Sequence, residues 1–239
     1  MKNKIFLLII CIPFLVRAQS STSSIELIGG FDLTHRSINY SGANQFLISE
    51  YNVRDEKETT KLNYHFGVNY NRKLIEKICL KLGVQFSSIG YKGEKIDGLM
   101  WGSENNGGGG WEPDPNLPHE IQKVYDYHFI EFPVGIRYSL NSNRLRPFFE
   151  IGISPSLYTK TKVTERTDIG NTSEKKKESE IEALNVAANL KVGFSYFINE
   201  KISLTIGPSY HRQLLKLKKS PIKEYAYRYS FEVGMRYFL

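Results

Sequence analysis

Cysteine is nearly absent from this chain of 239 residues, which holds only Cys11 and Cys79. Long apolar runs are also missing. Residues 5–16, interrupted by Pro13, form the one extended apolar stretch, and no later window of 18 apolar residues exists. That excludes a helical membrane protein. Charge of one sign is lacking too, since 32 Lys and Arg stand against 25 Asp and Glu. So modest an excess gives no reason to expect a nucleic-acid partner.

What is there begins at the N-terminus. Lys2 and Lys4 precede the apolar run, and Val16 and Ala18 put small residues at the two positions a signal peptidase reads. This predicts a secretory signal peptide over residues 1–18, cut after Ala18. The run is too short to span a membrane comfortably. Ile10 stands before Cys11, where a lipoprotein site needs a small residue. Without the signal, Cys79 is the only cysteine and no internal disulfide is available. Losing Lys2, Lys4 and Arg17 lowers the formal charge of +7 by three, to +4. About 220 residues remain, numbered 19–239, enough for one domain.

The rest of the chain alternates. In 225–239, Tyr225, Tyr227, Tyr229, Phe231, Val233, Met235, Tyr237 and Leu239 share one phase, while Arg228, Glu232 and Arg236 fall in the other. A period of two places these sets on opposite faces of a strand. Segments 25–34, 62–70, 78–87, 130–138, 149–157, 184–196 and 202–211 repeat the pattern. That makes eight strands, an even number and the smallest barrel that closes. Mean hydropathy is negative, as expected where apolar and polar residues alternate.

The connections are sorted by length. Those at 35–61, 92–123 and 159–182 are long; those at 71–77, 141–144 and 198–201 are short; 214–224 is intermediate. Outer-membrane barrels have short periplasmic turns and long external loops. Tyr70, Tyr138, Tyr196 and Tyr237 lie in the apolar phase beside the short turns, as an interfacial girdle requires. The expected fold is all-β: an eight-stranded antiparallel up-and-down transmembrane β-barrel.

The inward phase carries Glu26, Asp32, Glu131, Glu150 and Glu232 against Lys81, Arg137, Lys191, Arg228 and Arg236. Buried charges must be paired, and an eight-stranded barrel is just filled by its side chains. A plug of salt bridges and amides is therefore expected, rather than an open pore. A soluble, lipocalin-like barrel would instead need an apolar interior.

Three segments carry a family resemblance: Tyr127-His128-Phe129-Ile130-Glu131-Phe132-Pro133, Arg146-Pro147-Phe148-Phe149-Glu150-Ile151-Gly152 and Val233-Gly234-Met235-Arg236-Tyr237-Phe238-Leu239. With the signal and the eight strands, they resemble the PorT-type outer-membrane β-barrel family. The ending also resembles the C-terminal strand signal read by the barrel assembly machinery, with Leu239 where an aromatic residue is usual. The resemblance implies a small Gram-negative outer-membrane protein, in a family of which some members are linked to secretion or surface motility. It carries over no catalytic residue.

The loops offer little chemistry. Gly107 to Gly110 lead into Trp111-Glu112-Pro113-Asp114-Pro115, which cannot open the helix that a phosphate-cradling loop requires. Glu104, Glu112 and Asp114 match no calcium-loop spacing. Trp101 and Trp111 are candidates for contact with a partner or with lipid headgroups. The mixed charges of 159–182 suggest a solvated loop. Lys216, Lys218 and Lys219 are candidates for lipopolysaccharide phosphates. His65 and His211 point inward by phase, and no nucleophile motif flanks His128, which is read as an upper-rim residue. No catalytic, cofactor-binding or metal-binding residue is assigned. The expected role is a non-enzymatic scaffold or accessory of a surface or secretion assembly, acting through its external loops. Its partners would be outer-membrane lipids, the barrel assembly machinery during biogenesis, and envelope proteins. The alternative is a narrow channel or small-ligand-binding barrel.

Overall fold

The computed structural model describes residues 23–40, 42–100, 104–105, 111–112, 114, 116–140 and 143–239, with only the backbone given at 104–105 and 111–112. The expected signal segment, Trp101, the glycine run and the Trp111 side chain lie outside this description.

Eight strands form the wall: β1 (Ser23–Asn39), β2 (Thr59–Ile75), β3 (Ile78–Ile96), β4 (Ile121–Glu131 and Val134–Ser139), β5 (Leu145–Thr167), β6 (Leu184–Phe197), β7 (Ile202–Gln213) and β8 (Lys223–Phe238). β4 is interrupted because Pro133 has no N–H to give to a ladder. Its neighbours bridge the gap: Phe132 N–H donates to the Pro155 carbonyl at 2.8 Å, and the Pro133 carbonyl accepts from Gly83 N–H at 2.9 Å. Every neighbouring pair is antiparallel. β1 pairs with β8 from Ser24↔Phe238 to Asn39↔Lys223, which closes the ring and leaves its wall without an edge.

Burial is inverted relative to a soluble protein. Phe31, Phe66, Phe194 and Phe231 are exposed on the outer wall, Phe31 at 71%, while Glu26 and Asp32 inside are at 0%. Water would penalise such a surface, whereas a lipid bilayer matches it. That exposed apolar wall, with charged side chains buried inside, rules out the soluble, lipocalin-like alternative. Tyr70, Tyr138, Tyr196 and Tyr237 are exposed at the short-turn end, and Tyr64 and Tyr229 at the other. Tyr229 and Tyr237 are eight positions apart, about 20 Å of height at ~3.4 Å per residue and ~40° tilt. The apolar band between two aromatic girdles is of membrane height.

The strands outrun that band. A tilted strand crosses with about 9–11 residues, but β3 has 19 and β5 has 23. At the long-connection end, β3, β4 and β5 stay paired to Ile96↔Ile121 and Ile121↔Thr167. A further strand, Gly170–Lys176, folds back on β5 from Thr167↔Gly170 to Thr161↔Lys176. This projecting blade corrects the reading of 159–182 as a solvated loop. Thr161, Val163, Thr164 and Thr167 favour extended backbone despite the charges between them.

The connection 35–61 also carries regular structure. It holds helix α1 (Gln45–Lys57), capped by Asn44, whose side chain accepts from Phe46 N–H at 3.0 Å. No residue of α1 is buried, so apolar packing does not hold it.

Candidate functional site

Ten charged side chains meet inside the barrel, all buried. Nearer the short turns, Arg137 of β4 bonds Glu150 of β5 at 2.8 Å and Glu26 of β1 at 3.3 Å. Glu26 also takes Arg236 of β8 at 3.2 Å, Thr205 at 2.8 Å and Asn71 at 3.2 Å. Lys81 pairs with Glu150. This group holds two acids and three bases.

The next layer reverses the balance. Arg228 makes a two-point contact with Glu131, both bonds 2.9 Å. Lys191 bonds Glu232 at 2.6 Å, and Asp32 bonds His65 Nδ1 at 2.8 Å. Here three acids face two bases, with His65 and His211 beside them. The two layers together are neutral. Gly30 makes room for His65: a Cβ there would lie 2.6 Å from its Cε1.

Ser209, His211 and Glu232 adjoin in this layer and superficially resemble a nucleophile set. Ser209 Oγ donates to Glu232. Nδ1 of His211 faces the Arg228 guanidinium at 3.2 Å and must accept from it, because arginine only donates. The imidazole proton is therefore on Nε2, which lies 3.3 Å from Ser209 Oγ and 3.5 Å from Glu232. A ring nitrogen already bearing a proton cannot take one from serine.

Above the charges lies an apolar plug, which sequence reasoning missed. Ile89, Tyr91, Tyr127, Phe129, Tyr158 and Ala226 from the wall meet Ile181 and Leu217 from the connections. Leu217 and Ile222 fold into the mouth and are almost wholly covered.

A third charged layer caps the plug, also missed. Arg36 bonds Glu58 through Nε at 2.9 Å and pairs with Glu224, and Arg54 of α1 bonds Glu224 at 2.6 Å and Glu58 at 3.2 Å. These contacts, with Lys57–Glu94, tether α1. Burial opposes the Arg54 charge, but Glu224 and Glu58 outweigh it and hold the guanidinium protonated. Burial alone would raise the Glu224 carboxyl; Arg36, Lys218 and Arg54 bring it below its ordinary value. Arg36 and Glu224 continue the inward phases of β1 and β8 by only a few residues. Extending the alternation past 34 and before 225 would have found them.

Lys216 and Lys219 are exposed at this end, Lys216 lying 3.9 Å from Glu182. Lys218 does not join them. Its ammonium turns inward over Tyr127 and Tyr125, 5.6 and 5.9 Å from the ring centroids. Asp114 closes a local turn, accepting from the Asn116 N–H at 2.8 Å. Among the described residues, no group of His, Cys, Asp and Glu is placed to hold a metal.

A family model described as an outer membrane protein beta-barrel domain matches residues 17–212. The chain belongs to this family. As an outer-membrane barrel it is an integral membrane protein, with the exposed apolar band against lipid. Solved structures are similar to the chain at low identity. Neisserial surface protein A (NspA) is 10% identical, with 92% of this chain and 99% of that one covered and a TM-score of 0.47. OprG from Pseudomonas aeruginosa is 11% identical over 92% and 97%, TM-score 0.42. Ail of Yersinia pestis is 12% identical over 92% and 100%, TM-score 0.34. No curated protein matches the chain.

Proposed function

We propose that this barrel is a closed, non-enzymatic platform whose long-connection end lies outside the cell and docks an envelope protein. It would act as a scaffold or accessory of a surface or secretion assembly. The observation that carries this reading is the blade of β3, β4, β5 and Gly170–Lys176, built well beyond the height a membrane needs. Its last strand is exposed along its whole length and, among the described residues, pairs only with β5. An unpaired strand edge is a template for a strand of another chain. The resemblance to the PorT-type family supports the same role, and export by a signal peptide over residues 1–18 belongs to it. Lys216 and Lys219 would meet lipopolysaccharide phosphates.

The test is photocrosslinking in the native host, with the reactive group at Asn171 or Ser173 and a lipid-facing control at Phe194. The expected result is one reproducible protein adduct from the blade and none from the control. Lipid adducts or no adducts at all three positions would overturn the proposal.

A second reading is a narrow water or ion path. It draws on buried polar atoms with no protein partner, among them Asp32 Oδ2, Asn69 Nδ2, Ser203 Oγ and Ser230 Oγ. Such atoms favour internal water, but a path also needs the apolar plug to open.

A further inference from the structure

A cleft of about 730 Å³ opens between α1, the base of the blade and the β7–β8 connection. Its floor is a column of stacked groups. The Arg36 guanidinium carbon lies 3.5 Å from the centre of the Tyr91 ring, Tyr91 stacks on Tyr125 with centroids 4.9 Å apart, and Lys218 lies over Tyr125. Ile96 and Ile121 add an apolar wall.

The charges of the cleft do not cancel. Its glutamates are already engaged: Glu50 with Arg54, Glu58 with Arg36 and Arg54, and Glu94 with Lys57. Lys123 and Lys218 also line the space, and neither forms an ion pair among the described residues. Lys123 is exposed, whereas Lys218 is half-buried against the two tyrosines. Burial, together with Arg36 and Arg54, weakens its hold on the proton despite nearby Glu224. An anion arriving at Lys218 would offset that penalty.

Three features restrict what fits. The two unpaired ammonium groups call for one anionic group. The Tyr125 edge and the isoleucines call for a ligand with an apolar face. The rim of Glu50, Glu94 and Arg54 supplies acceptors as well as donors, which suits hydroxyl groups, since each hydroxyl both gives and accepts. An inorganic oxyanion would leave the apolar wall unused, and an aromatic acid would leave the glutamates facing carbon. From this convergence we infer that the cleft binds an acidic sugar, its carboxylate on Lys218 and Lys123 and its ring against Tyr125. The site stands apart from the docking edge and would exist whether or not the blade binds a partner.

The test is titration calorimetry of the full chain in detergent micelles, with digalacturonate as probe. Its dimethyl ester and inorganic phosphate are the comparisons. Wild type should bind digalacturonate saturably and the ester at least tenfold more weakly. Lys218→Met, which keeps the stem over the tyrosines, should lose at least tenfold, as should Lys123→Met, while Lys201→Met, exposed in a short turn at the opposite end, should bind as wild type. Heat-modifiable migration on gels checks that each variant folds. No saturable binding by wild type, undiminished binding by both folded cleft variants, or equal binding of phosphate would each overturn the assignment.

Discussion

Arg228 and Glu131 join opposite parts of the barrel wall through two parallel hydrogen bonds, Nη1 to Oε1 and Nη2 to Oε2, each 2.9 Å. Both side chains are almost wholly buried. A guanidinium and a carboxylate matched in this way form a strong, directional pair. The pair therefore braces the barrel from within.

Removing one member should be worse than removing both. Glu131→Leu leaves Arg228 buried without its main counter-charge, at a cost of about 3–5 kcal/mol. Glu131→Leu combined with Arg228→Leu should recover a substantial part. Urea unfolding in micelles measures both variants. A single mutant as stable as wild type would deny the brace its role.

The lipid-facing wall gives a second prediction. Val134 points outward and is exposed. Val134→Arg puts a charge into the apolar band and should cost about 2–4 kcal/mol near the bilayer midplane. Poor membrane assembly and loss of the heat-modifiable form are expected. Normal assembly would refute the phase assigned to that strand.

Helix α1 should respond to pH. The Glu224 carboxyl sits below its ordinary value because Arg36, Lys218 and Arg54 outweigh burial. A lowered carboxyl contributes stability that is present above its unfolded value and lost as pH falls through the folded one. Acidification should thus free α1 before the wall opens, since the helix buries no residue of its own. A spin label at Gln45 should be ordered at neutral pH and mobile in acid, and Glu224→Gln should be mobile at neutral pH. Unchanged mobility throughout would contradict the ionic tether.

The wall was legible in the sequence because its physics is local. Period two, short turns beside Tyr70, Tyr138 and Tyr196, and the apolar outer phase all appear within a few residues of one another. The same phase sets the side that Glu26 or Arg137 faces. It does not set the partner: Arg137 bonds Glu26, 111 positions away, through a distance fixed only when the ring closes. The blade was hidden for another reason. Beyond the membrane the outer phase of β3 to β5 becomes polar, so Lys92, Lys160 and Lys162 read as loop. Tyr91, Tyr127 and Phe129 carry the plug on the inward phase, where polar residues were expected. Helix α1, held by charge alone, shows no apolar stripe.

In the proposed role the barrel is closed and its work lies outside the wall. Single-channel recording in planar bilayers tests this most directly. A closed barrel gives no steady openings from the purified wild-type protein. Regular openings whose conductance changes in Arg137→Ala or Glu131→Ala would contradict it and establish a path through the interior.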